Sequence, residues 1–318
     1  MGMVLIPISL SRMRRWATVV VGLAVLTAGA LGGTGVRPVG AAAPAAPSTV
    51  ADHRVDVVAS FYPLAWLARA VGGDRVRVTD LTPPGAEPHD LELTTRDRDR
   101  IDRADVVLLL GRDFQPAVEA AAEQRDGPTV VVADAVDDGP AALRADPHLW
   151  LDPVTWGAAV TVVERALAAA APADAADFAA RADTVRGELT ALDAGYAAGL
   201  ADCRRHLVVS VHDAFARPAA RYGLTTASLV GRSPEGEADA RRLVDLADRM
   251  ERAGVTTVFT EPLAPPDQAR TLAREGGARV AVLDPVEGLT AAQRRRGDDY
   301  PTVMRRNLRA LRRALGCT

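Results

Sequence analysis

The sequence predicts an α/β fold of two lobes with mainly parallel sheets, joined by a long rigid backbone helix. Three observations carry this expectation. Short runs rich in Val, Leu and Thr alternate with Ala-rich helical stretches, the order that winds strands into a parallel sheet. The alternation stops between Asp152 and Leu200, where no strand-like run occurs, and resumes at His206. Within that gap Phe178, Ala182, Val185, Leu189, Leu192, Tyr196 and Leu200 recur at three- and four-residue steps. They form one apolar stripe along a helix about 40 Å long, a length suited to a connector between two halves.

Composition narrows the function classes. Of 318 residues, 48% are hydrophobic and 25% charged, a globular balance that excludes a disordered chain. Aromatic residues make up only 4%, so Ala, Val and Leu must fill the core. The chain has no Lys, and its formal charge of −3 gives no electrostatic footprint for nucleic acid. Two Cys cannot build a disulfide-dense scaffold or a Cys-rich zinc module.

Residues 1–42 read as a secretory signal. Arg12, Arg14 and Arg15 precede an apolar run from Trp16 to Leu31, and small residues around Gly40-Ala41-Ala42 follow. The run is short for a membrane span. Thr34 follows Ala30-Leu31-Gly32-Gly33 where a lipoprotein signal would place Cys. The protein is therefore expected outside the cytoplasm, without a lipid-bearing thiol. Cleavage would remove four Arg and no acid, leaving a mature chain more acidic than the whole. Residues 43–52, with Pro44 and Pro47, read as a flexible lead-in.

The first lobe is expected over 53–165. Its strands are Val55–Ser60, Val76–Val78, Asp105–Leu110 and Thr129–Val132, with helices Leu64–Val71, Thr95–Arg103 and Phe114–Gln124 between them. A connecting helical region covers 166–202, where Pro172 interrupts the helix and Asp174 can cap a new one. The second lobe spans 203–316. Its strands are His206–Ser210, Thr225–Val230, Thr256–Thr260 and Arg279–Leu283; its helices are Ala214–Tyr222, Ala238–Ala253, Pro266–Glu275 and Tyr300–Leu315. Arg217-Pro218 is expected to bend the first of these. In an exported chain Cys203 and Cys317 are expected to pair, with two separate thiols as the alternative. The entropic account gives a loop of over 100 residues an upper value of ~4–5 kcal/mol.

Chemistry-bearing residues gather where strands end and loops turn, the places at which open α/β sheets bind ligands. His89 follows the second strand and a Pro-rich loop, His148 precedes the long helices, His212 ends the first strand of lobe two, and Asp284 ends its last. Three imidazoles and a carboxylate suit a borderline cation such as Zn²⁺ in a closed tetrahedron, which favours binding over hydrolysis. Taken singly, each residue also reads as an ordinary surface or turn-capping group. No short-range ligand pair fixes the choice.

The surrounding words resemble the zinc/manganese-type solute-binding proteins of ABC transporters, the cluster A-I or ZnuA/TroA-like family. They run, in family order, through Val58-Ala59-Ser60-Phe61-Tyr62-Pro63-Leu64, then Pro84-Gly85-Ala86-Glu87-Pro88-His89-Asp90, then Asp146-Pro147-His148-Leu149-Trp150-Leu151-Asp152-Pro153. Val211-His212-Asp213-Ala214-Phe215, Phe259-Thr260-Glu261-Pro262 and Val282-Leu283-Asp284-Pro285 complete the series. The resemblance covers 55–316. It implies His89, His148, His212 and Asp284 as metal ligands, and a backbone helix that restricts lobe movement to loop ordering and a small tilt. Glu87 and Glu261 are candidates for orienting the ligands.

The implied function is an extracytoplasmic, monomeric Zn²⁺ receptor, not an enzyme, that delivers its ion to an ABC permease. Manganese members typically carry Glu where this chain has His212, and imidazole suits Zn²⁺ better than Mn²⁺. A manganese receptor, a metal-dependent adhesin and a secreted metallohydrolase are the competing readings. The chain departs from the family pattern: Asp113 to Ala145 contains no His, so a His-rich collecting loop is absent or replaced, and Leu91-Glu92-Leu93-Thr94 follows His89 where the family often has a Pro-bearing stretch.

Overall fold

The computed structural model describes residues 54–136, 143–231 and 239–318; the expected signal and lead-in lie outside them. In the first lobe, β1 (Val55–Ala59), β2 (Val76–Asp80), β3 (Val106–Leu109) and β4 (Thr129–Val131) form a parallel sheet in the order β2-β1-β3-β4. Helices α1 (Tyr62–Gly72), α2 (Thr95–Arg103) and α3 (Pro116–Ala122) make the crossovers, and the short α4 (Val132–Ala135) follows β4. Every residue of β3 is buried, as its unbroken apolar run requires in a sheet covered on both faces. Helix α2 is nearly all charged and buries only Ile101; a reciprocal cap between Thr94 and Asp97 fixes its start.

The second lobe repeats the plan. Strands β5 (Leu207–Ser210), β6 (Thr225–Ser228), β7 (Thr257–Thr260) and β8 (Arg279–Val282) are parallel in the order β6-β5-β7-β8. In each sheet the winding reverses beside the first strand, so loops leaving the strand ends there splay apart and open a crevice. His212 leaves β5 at such a point, while His89, His148 and Glu287 lie on the loops after β2, β4 and β8.

Between the lobes, α5 (Pro153–Ala170) and α6 (Ala175–Leu200) lie side by side. Asp152 caps α5 by accepting the Val154 N–H at 3.1 Å. The buried residues of α6 are the seven of the predicted stripe. They belong to one apolar core that also takes in α1 and the terminal helix α11 (Tyr300–Leu315), so the spine is continuous with both lobes. Tyr196 closes this seam by donating to the Met304 carbonyl at 2.7 Å.

The remaining helices are α7 (Ala216–Arg221), α8 (Ala240–Arg252), α9 (Asp267–Glu275) and α10 (Ala291–Arg295). Pro218 does not bend α7. The helix starts later than predicted, which places the proline in its first turn, where no N–H is needed. Cys203 and Cys317 are paired, across 114 residues, as expected. The bond ties the end of α11 to the chain entering β5. Cys203→Ser is expected to lower stability by about 2–4 kcal/mol, read as a fall in Tm under non-reducing conditions. Equal Tm values with and without the bond would show that it carries no stabilisation.

Candidate metal centre

His89, His148 and His212 meet in the crevice between the lobes. Each reaches it from a different kind of segment. Gly85, at φ 83°, turns the Pro-rich loop after β2 and returns the chain toward the sheet. His89 follows, its backbone N–H donating to Glu87 Oε1 at 3.3 Å and its ring set edge-on to Phe114, 4.5 Å between centroids. His148 precedes a single 3₁₀ turn, Leu149–Leu151, and is fully buried. His212 follows β5, where the Ser210 hydroxyl donates to its carbonyl at 2.7 Å.

The fourth member is Glu287, not the expected Asp284. One Glu287 oxygen lies 3.4 Å from His148 Nε2, 3.5 Å from His89 Nε2 and 3.8 Å from His212 Nε2. The Nε2 atoms of His148 and His212 are 3.4 Å apart, and one donor atom from each of the four residues falls within 4.8 Å of every other. Zn–N and Zn–O bonds near 2.0–2.1 Å give a tetrahedral edge of about 3.3–3.4 Å. The four donors are thus spaced to surround one small cation. Among the described residues neither Glu287 oxygen, nor His89 Nε2, has a hydrogen-bond partner, although all three are buried. Buried polar atoms in that state call for a ligand.

Asp284 has a different task. It is buried, and its Oδ1 accepts the Val286 N–H at 2.8 Å while Oδ2 accepts Gln293 Nε2 at 2.6 Å. Its backbone is held on both sides by Asn307 of α11, at 2.9 and 2.6 Å. With both oxygens so engaged, its carboxylate serves the loop. Val286, at φ 60°, is a β-branched residue in the left-handed region, a strained state that the surroundings must impose. This turn carries the chain from Asp284 to Glu287. Burial pushes the Asp284 carboxyl up to about 6, against the Val286 and Gln293 hydrogen bonds.

Two imidazoles are oriented from behind. His148 Nδ1 is 2.7 Å from Asp146 Oδ1, and His212 Nδ1 is 2.6 Å from Glu261 Oε1. A carboxylate at Nδ1 selects the tautomer that leaves Nε2 free to ligate. Glu261, expected to orient a ligand, lies at the His212 ring. Glu87 holds the His89 backbone instead of its ring. The role of Asp146 was not anticipated.

The electrostatics follow from this packing. Burial opposes charge on His148, but the Asp146 and Glu287 carboxylates outweigh it and lift its pKa to about 9. Burial likewise opposes charge on His212, and Glu261 with Glu287 raises it. Burial disfavours an ionised Glu287, yet the facing imidazoles hold its carboxyl well below the usual range. Without metal, the pocket therefore keeps a proton among the groups that would bind a cation.

The lobes are also tied together beside the site. Trp150 Nε1 donates to the Pro285 carbonyl at 2.6 Å, and Tyr300 donates to the Trp150 carbonyl at 2.5 Å. Buried Arg217 of α7 donates to the Asp146 carbonyl at 2.9 and 3.1 Å. Arg221 grips Asp152 with two bonds of 2.5 and 2.6 Å. These ties make the pocket preorganised and oppose a wide opening.

Comparison with known proteins agrees with this arrangement. The sequence profile of the family described as "Zinc-uptake complex component A periplasmic" (ZnuA) matches residues 57–314. The zinc-binding protein AdcA of Streptococcus pyogenes is 33% identical over 297 residues, covering 84% of this chain and 57% of the relative. The chain thus spans little more than half the length of such curated relatives. The crystal structure of the Zn(II)-bound ZnuA-like domain of Streptococcus pneumoniae AdcA superposes with a TM-score of 0.73 at 29% identity, covering 82% of this chain and 99% of that one. The laminin-binding protein Lmb of Streptococcus agalactiae, described as bifunctional with adhesin and metal-transporting activity, gives 0.75 at 26% identity, with coverages of 82% and 99%.

Proposed function

The chain belongs to the zinc-uptake complex component A family, and from that footing we propose that it is an exported, high-affinity Zn²⁺ receptor that hands its ion to an ABC-type importer. His89, His148, His212 and Glu287 are its ligands, two from each lobe. The observation that carries this reading is the convergence of three imidazole nitrogens and one carboxylate oxygen within 4.8 Å of one another. Four protein donors leave no position for an activated water, which supports capture over hydrolysis.

Zinc is favoured over manganese by the donor set, since three imidazoles suit a borderline-soft ion and Mn²⁺ prefers oxygen. The ion's double charge is met by Glu287 and by the carboxylates behind His148 and His212. Such a receptor works as a monomer, outside the cytoplasm, beside a membrane permease. The likeness to Lmb supports a second reading, metal-dependent adhesion at a surface, which zinc-dependent retention on immobilised laminin would detect.

The test is metal analysis with thermal unfolding. One Zn²⁺ per chain is expected after dialysis. Free zinc at one hundred times Kd should stabilise the chain by about 2.7 kcal/mol. A manganese stabilisation that exceeds zinc's at equal free concentration would overturn the metal assignment.

A further inference from the structure

A second cavity crosses the lobe seam behind the metal loop. Its volume is about 440 Å³, and it is lined by Arg69 and Asp80 of the first lobe and by Gly288 and Arg294 of the second. Gly288 directly follows the proposed ligand Glu287, and Arg294 directly follows Gln293, which holds Asp284. The cavity is therefore distinct from the metal centre but shares its loop.

The charges around it are unbalanced. Arg69 lies in the last turn of α1 and donates to the Val78 carbonyl at 3.4 Å. Among the described residues neither Arg69 nor Arg294 makes an ion pair within 4.0 Å. Two arginines from opposite lobes thus line one open space, and among the described residues Asp80 is the sole carboxylate lining it. Asp80 already accepts the Thr82 N–H at 3.2 Å. A planar fork of donors on each side is the arrangement that holds an oxyanion.

We propose that this cavity binds a small oxyanion, a carboxylate or phosphate group, bridged between Arg69 and Arg294. Bound there, the anion clips the lobes together next to the Glu287 loop. The cavity exceeds the size of one inorganic anion, which leaves room for a short organic acid or phosphate ester. Asp80 sets the pH dependence. Burial pushes its pKa up to about 7, against the pull of Arg69, the Thr82 N–H and Arg294. The other titratable side chain lining the cavity is the Tyr62 phenol, raised by burial and neutral throughout the range concerned. Below pH 7 Asp80 becomes neutral, its repulsion of the anion disappears, and both arginines face the ligand unopposed.

The experiment is calorimetric titration of the zinc-free full chain with sulfate, which does not titrate between pH 6 and 8. Saturable 1:1 binding is expected, several-fold tighter at pH 6 than at pH 8. Arg69→Ala and Arg294→Ala should each weaken it about tenfold, while Arg270→Ala, on the distant exposed face of α9, should not. Asp80→Asn should tighten binding at pH 8 and abolish the pH dependence, an effect that misfolding cannot mimic. Phosphate tighter than malonate would assign a phosphate source, and the reverse a carboxylate. No saturable sulfate binding, or equal affinity in the wild type and Arg294→Ala, would overturn the proposal. Because zinc is absent throughout, neither result bears on the zinc-receptor reading.

Discussion

Glu287→Ala is expected to weaken zinc binding by about two to three orders of magnitude, one ligand's share of a four-ligand site worth about 10–16 kcal/mol. Asp284→Ala should weaken it less, by about 10–100-fold, because it acts through the loop. Without metal both variants should lose stability, for different reasons. Asp284 satisfies the Val286 N–H and the Gln293 amide, so its removal leaves buried donors unpaired and costs about 1–3 kcal/mol. Glu287 makes no such hydrogen bond, but it faces the raised His148, so its loss should lower the metal-free Tm below about pH 9, where that ring is protonated. Competition titration with a chelator of known affinity and thermal unfolding in excess chelator read the two effects. The reverse ranking for zinc affinity would restore Asp284 as the ligand.

Zinc affinity should fall by at least about tenfold for each pH unit between 8 and 6, because binding must expel the proton held on His148. That proton is retained up to about pH 9 in the metal-free pocket. His212, also raised, steepens the slope wherever both rings are protonated. Metal-free stability should move the other way. A His whose folded pKa is raised stabilises the fold fully below its unfolded value near 6.5, and that contribution is lost as pH rises through about 9. Chelator competition at pH 6, 7 and 8 and metal-free unfolding from pH 6 to 9 provide the two curves. Asp146→Asn should flatten both, since it removes the carboxylate that holds the His148 proton. A pH-independent affinity would mean that the pocket is already deprotonated.

Much of this was legible in the sequence because it rests on short-range physics. Unbroken apolar runs such as Val106–Leu109 read as buried parallel strands, and the stripe from Phe178 to Leu200 gave the buried face of the spine residue by residue. The three histidines were picked out by the resemblance of the words around them, since taken singly each reads as a surface or turn-capping group. Glu287 did not, because it lies three residues beyond the conspicuous Asp284-Pro285 pair. A left-handed Val286, invisible to any periodicity, turns it inward. One signal was present: Glu287 is a lone carboxylate between Val286 and Gly288-Leu289, an apolar setting that an unpaired charge would avoid. The roles of Asp146 and Glu261 depend on which ring faces which loop, a matter of tertiary packing. Pro218 was misread because helix starts are set by caps and contacts more than by pattern.

The most direct test is anomalous diffraction at the zinc edge from crystals of the zinc-loaded chain. One strong peak is predicted, about 2.0–2.1 Å from Nε2 of His89, His148 and His212 and from one oxygen of Glu287, with Asp284 still bonded to Val286 and Gln293. A peak coordinated by the Asp284 carboxylate, or no peak between the lobes, would contradict the account.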